Sequence, residues 1–198
     1  MKKTLLAICT ALTLSVGQAG AVPMDFSFTG NLANDDDVQL FNFSVAAPSI
    51  VTLRTWSYAG GTNAAGDVIP AGGFDPILAL FDSAGNLIDQ NDDGIGVPAD
   101  PVTGAAYDTL LSTALDAGDY TVSVMQYANF AIGPTLGDGF SGSGTTGFVD
   151  FTGATRTSFW AFDILNVETA TTFIPEPASL ALLSLGLAGI GFSRRKKA

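Results

Sequence analysis

Short runs of alternating apolar and polar residues, separated by Gly/Asp turns, constrain the fold of this chain more than any other feature. In Phe41-Asn42-Phe43-Ser44-Val45 the alternation is strict, and a period of two puts one set of side chains on one face of a strand. Ile50 to Ser57 is rich in β-branched and aromatic residues, with Val51 and Leu53 on one face. Ile77 to Phe81 is a continuous apolar run of the kind a buried strand uses, and Ser83-Ala84-Gly85-Asn86 turns it into Leu87-Ile88. After the turn Leu115-Asp116-Ala117-Gly118-Asp119, Tyr120, Val122 and Val124 alternate with Thr121, Ser123 and Met125. Ser158 to Val167 is a longer late strand, with Trp160, Phe162 and Ile164 on one side. No capped amphipathic helix of useful length interrupts the series. The pattern predicts an all-β domain, an antiparallel β-sandwich of jelly-roll type.

Two Gly-rich stretches do not read as strands. Tyr58 to Gly73 is expected to be a surface loop, and Ala128 to Gly153 a second, longer one. Phe140 and Phe148 in the latter are read as pins that hold the loop to the core, because large aromatic residues bury more often than they display.

The two ends differ from this middle. Lys2 and Lys3 precede a mostly apolar stretch, Leu5 to Val16, and Ala19-Gly20-Ala21 supplies the small residues a signal peptidase reads. Residues 1–21 are therefore expected to be a secretory signal helix, cleaved after Ala21. The one cysteine, Cys9, lies inside it, so the exported chain would use no disulfide. At the other end Pro175-Glu176-Pro177 precedes an apolar segment, residues 178–192, and then Arg194-Arg195-Lys196-Lys197. As a helix those apolar residues span about 22 Å against a hydrocarbon core of about 30 Å. That is short for a lasting anchor, and the basic end would stay on the cytoplasmic side. Both a marginal tail anchor and a sorting signal that is inserted transiently in the inner membrane, read by a membrane enzyme and removed fit these proportions.

This tail resembles the PEP-CTERM sorting signal of Gram-negative bacteria, with Pro-Glu-Pro, a short Leu/Ala/Gly span and a basic end in order over residues 175–198. The resemblance implies processing by exosortase, a membrane transpeptidase-like cysteine protease, in organisms that make exopolysaccharide. Delivery to the cell surface or the extracellular space follows from it.

The charges are also divided between the parts. Residues 22–174 hold eighteen of the nineteen acidic residues against Arg54 and Arg156, a net charge near −16, while the other six basic residues lie at the ends. Such a surface suits divalent cations and is a poor partner for nucleic acid or anionic lipid. The absence of histidine from all 198 residues removes Ser-His-Asp and Cys-His catalysis and His-based metal sites.

A second resemblance covers residues 25–167. Asp35-Asp36-Asp37 with Val38 to Val45, then Leu78-Ala79-Leu80-Phe81-Asp82, Gly85-Asn86-Leu87, Asn91-Asp92-Asp93-Gly94 and Leu115 to Tyr120 are similar to bacterial pre-peptidase C-terminal (PPC) domains. Phe74-Asp75-Pro76, with Thr157 to Val167, narrows the likeness to the DVUA0089 family of PEP-CTERM-tailed proteins. The resemblance implies a PPC-like sandwich with no known catalytic activity.

Asp89-Gln90-Asn91-Asp92-Asp93-Gly94 places oxygen ligands at positions 1, 3 and 5 and glycine at 6, the opening of a Ca2+ loop. Position 12 is Asp100 rather than glutamate, and Pro98 and Pro101 interrupt the region, so an EF-hand is not expected. The leading reading of the run is an acidic turn that water solvates; the alternative is a Ca2+-binding β-loop built from Asp89, Asn91, Asp92 and Asp93, with Asp75 and Asp108 able to reach the same end of the sandwich. Asp35-Asp36-Asp37 is a second acidic run, read mainly as exposed loop. Carboxylate pairs can hydrolyse glycosides without histidine, but no spacing here singles out an acid and a nucleophile. Arg54 and Arg156 could clamp an anionic sugar or pair with nearby aspartates. The expected function is a non-catalytic surface or exopolysaccharide-matrix protein. A Ca2+-dependent carbohydrate-binding module is the alternative, and a carboxylate-dependent hydrolase or lyase the weaker third reading.

Overall fold

The computed structural model of the protein describes residues 22–142 and 147–173. The expected signal helix with Ala19 and Ala21, the Pro175-Glu176-Pro177 motif, the apolar segment 178–192 and the basic end 194–197 lie outside the described residues. Among the described residues no helix is long and apolar enough to cross a membrane.

These residues form β1 (Met24–Asn31), β2 (Gln39–Val45), β3 (Ser49–Thr55), β4 (Gly61–Thr62), β5 (Val68–Ile69), β6 (Pro76–Asp82), β7 (Leu87–Asn91), β8 (Leu110–Leu115), β9 (Gly118–Gln126), β10 (Phe159–Val167) and β11 (Thr169–Thr172). A four-stranded sheet, β1-β10-β3-β8, packs on a five-stranded sheet, β11-β2-β9-β6-β7. Every ladder is antiparallel. The all-β antiparallel sandwich follows the alternation in the sequence.

The core lies between the sheets. Phe41, Phe43 and Val45 of β2 meet Val122 and Val124 of β9 and Leu78 and Leu80 of β6, and Val51, Leu53, Trp160, Phe162 and Ile164 face them. Phe41 sits among Phe28, Trp160 and Phe162 at centroid distances of 5.0 to 5.5 Å. Its two partners in β10 are the ones that alternation placed on one side.

The run of β6 is apolar on both faces because both are covered. Leu78 and Leu80 enter the main core, whereas Ile77, Ala79 and Phe81 join Met125 in a second cluster on the outside of the five-stranded sheet. Tyr127, Phe130, Leu136 and Phe140 fold back over that cluster. Phe148 packs on the main core, against Phe74. Both phenylalanines read as pins are pins.

Tyr58 to Gly73 departs from the expected surface loop. It contains the small hairpin β4–β5, and Tyr58 is fully buried. The polar partners that make its burial tolerable lie far along the chain, at Thr103 and Asp150, where no local pattern reveals them.

Candidate metal centre

One end of the five-stranded sheet gathers carboxylates. Phe74-Asp75-Pro76 leads into β6, with Phe74 buried in the core and Pro76 opposite Gln126 of β9. The backbone N–H of Tyr127 donates to Asp75 O at 2.8 Å. These contacts leave the Asp75 side chain 4% exposed. The chain leaves β7 at Asn91, whose Nδ2 donates to Leu110 O at 2.8 Å, and Gly94 N–H donates to Asp108 O at 2.9 Å. Pinned on both sides, the short connection turns Asp92 and Asp93 towards Asp75. One carboxylate oxygen from each of the three lies within 4.8 Å of the others.

Asp75 Oδ1 and Asp92 Oδ1 are buried with no hydrogen-bond partner. So is Oε1 of Gln126, itself 4% exposed. All three are acceptors lacking a donor. Burial, and then the charges of Asp92, Asp93, Asp150 and Asp108, push the Asp75 carboxyl up to about 9. Burial, with Asp93 beside it, pushes Asp92 up to about 6, and burial raises Asp93. Among the described residues the two arginines are engaged elsewhere. Arg156 pairs with Asp100 at 3.0 Å, and the guanidinium of Arg54 lies 3.7 Å over the Trp56 ring.

The six residues singled out from the sequence separate into three groups. Asp75, Asp92 and Asp93 come together. Asp89 does not join them. It is exposed on β7, and its Oδ1 accepts from the N–H of Gln90 at 2.8 Å. Asp89 stands on β7, ahead of the turn that carries Asp92 and Asp93, and is not among the carboxylates whose oxygens converge. The Asn91 amide nitrogen is taken by Leu110 O. Asp108 is fully buried but serves the fold. Its carboxylate accepts from Thr55 Oγ1 at 2.9 Å, Tyr58 N at 3.1 Å and Ala59 N at 2.8 Å, which oppose the upward shift that burial imposes.

Asp37 of the second acidic run turns inward on its own loop, accepting from Asn34 N at 2.7 Å. Of the two roles the sequence offers Arg156, pairing with an aspartate is the one observed, but the strut built around that pair carries no sequence signal. Beyond Asp100, the Arg156 guanidinium donates to Gly73 O and Tyr58 O and stacks 3.7 Å over the Tyr58 ring, while Tyr58 OH donates to Asp150 at 2.7 Å. Chemically, the three-aspartate cluster offers hard oxygen ligands and negative charge. At 4% exposure Asp75 gives a sugar ring no surface on which to receive a proton.

Comparison with known families places residues 173–196 in the PEP-CTERM protein-sorting motif. Tails of this kind are processed by exosortase and mark export to the surface of Gram-negative bacteria. The match begins at the residue where the sheet ends, since Phe173 N–H still donates to Leu40 O at 2.9 Å. No curated protein matches the chain.

Proposed function

We propose that the exported chain is a non-catalytic, PPC-like sandwich of the DVUA0089 type. It would serve in adhesion or as structural material at the cell surface or in the exopolysaccharide matrix, with Ca2+ as a structural ion on its acidic loops. The observation that carries this reading is the sorting motif at residues 173–196, attached directly to an acidic antiparallel sandwich. An enzyme reading has less support, because the closest carboxylates include one that is buried away from any substrate. In this reading exosortase is the processing partner, and the tail resides in the inner membrane only transiently.

Mass spectrometry of the protein recovered from the cell surface or medium tests it. The expected mass lacks residues 1–21 and the basic end. Intact Arg194 to Lys197 on the surface form would count against processing.

A second reading, an exopolysaccharide-binding module, is favoured by a hollow of about 350 Å3 on the five-stranded sheet, lined by Asn42, Asp119, Thr121, Thr169 and Thr171 among others. Such hydroxyl and amide groups match sugar hydroxyls. Pull-down on the producing cell's polysaccharide, with and without chelator, separates the two readings. Retention on the polymer supports the module, and no retention under either condition removes it.

A further inference from the structure

We propose that Asp75, Asp92 and Asp93 form a Ca2+ site that clamps the start of β6 to the end of β7. The proposal deepens the cation part of the reading above, from acidic loops in general to three named carboxylates.

Calcium–oxygen distances are 2.3–2.6 Å, so ligand oxygens on opposite sides of one ion lie about 5 Å apart. One oxygen from each of the three carboxylates lies within 4.8 Å of the others, close enough to share one ion. Each aspartate brings one oxygen to the cluster, so water or second carboxylate oxygens would complete the six to eight ligands that Ca2+ accepts. The donor set contains neither sulfur nor imidazole, which turns selectivity towards hard cations.

Burial supplies the second, separate argument. Solvated acidic turns keep their oxygens in water, but Asp75 is 4% exposed and its Oδ1 has no donor. A buried, unpaired carboxylate is among the costliest arrangements a fold can hold. Hydrogen bonds relieve Asp100, Asp108 and Asp150 of that cost, whereas the end of the sheet holding Asp75, Asp92 and Gln126 offers unpaired acceptors. A cation answers the Asp75 and Asp92 carboxylates with one partner. The site also differs from the one that the sequence motif suggests, since Asp89 stands outside it.

Calorimetric titration of CaCl2 into the EDTA-stripped exported chain, with thermal melting in parallel, tests the assignment. Wild type should bind with a dissociation constant in the range of extracellular modules, about 10⁻⁴–10⁻³ M, and melt at a higher temperature when saturated. Asp93→Asn should bind at least tenfold more weakly. Asp75→Asn places a neutral amide where burial disfavours a carboxylate, so in EDTA it should melt at or above the wild-type temperature while losing the Ca2+ shift. That combination separates a lost ligand from a lost fold. Asp89→Asn should keep the full response, and Mg2+ at equal concentration should shift melting less. Absence of wild-type binding, a wild-type Ca2+ response in Asp75→Asn or Asp93→Asn, loss of response in Asp89→Asn, or an equal Mg2+ shift would overturn the proposal. These readouts are independent of tail processing, so failure here leaves the sorting reading standing, and the reverse also holds.

Discussion

Arg156 shows how much one side chain holds in a domain with two arginines. Its partner Asp100 is buried, which raises the carboxyl, but hydrogen bonds from Thr103 N–H, Arg156 and Val102 N–H outweigh burial and hold it below the usual carboxylate range. A folded-state value below the unfolded one means that the group stabilises the fold above about pH 4 and loses that contribution as pH falls further. Asp100→Asn leaves Arg156 buried without its counter-charge, so it should cost roughly 3 kcal/mol at pH 7. In denaturant melts the gap from wild type should narrow between pH 4 and pH 2. A constant gap across that range would place the cost in packing instead of charge. None of this was legible locally. Asp100 lies 56 residues from Arg156, and composition offered several aspartates as partners. The acidic cluster was half legible for the same reason: the run Asp89 to Gly94 contains Asp92 and Asp93, which meet Asp75, while Asp89 stays outside on β7.

Gly94 belongs to the scale of elements. The loop motif assigns glycine there to permit a sharp turn, yet Gly94 is not among the glycines with positive φ. Its requirement is space. A Cβ would lie 2.6 Å from Leu110 N and 2.7 Å from Leu110 Cβ, at the first residue of β8. Gly94→Ala must push the Asp92–Asp93 turn away from β8, at a cost of about 1–3 kcal/mol for overpacking. It should therefore lower the melting temperature in EDTA and also shrink the Ca2+ shift. An unchanged Ca2+ shift in a destabilised Gly94→Ala would mean that the turn's position does not set the site. The strands themselves were read unevenly. β2, β3, β6, β9 and β10 declared themselves through alternation or continuous apolar runs because they pack on the core with neighbours on both sides. β1, β8 and β11 were not identified, and all three are sheet edges. β11, Thr169-Ala170-Thr171-Thr172, buries only Ala170, so hydrophobic periodicity has almost nothing to report there.

At the scale of the whole molecule, charge sets the conditions under which the sandwich is stable. Eighteen acidic residues against two arginines over residues 22–174 repel one another in the folded state, and any salt screens that repulsion. The Debye length falls from about 30 Å at 0.01 M to about 10 Å at 0.1 M, so NaCl alone should raise the melting temperature gradually over that range. A bound ion behaves differently. It acts through occupancy, and at 100 times its dissociation constant it adds about 2.7 kcal/mol regardless of screening. Melting curves at matched ionic strength, one series in NaCl and one in CaCl2, therefore divide the general effect from the specific one. The CaCl2 series should lie above the NaCl series by a saturable increment, and Asp75→Asn should bring the two together. Coincident series in wild type would mean that the acidic surface is screened by calcium without binding it. The same division bears on export. If Asp75, Asp92 and Asp93 hold Ca2+ as proposed, the sandwich gains that increment only where the ion is plentiful, and the sorting tail marks the chain for export.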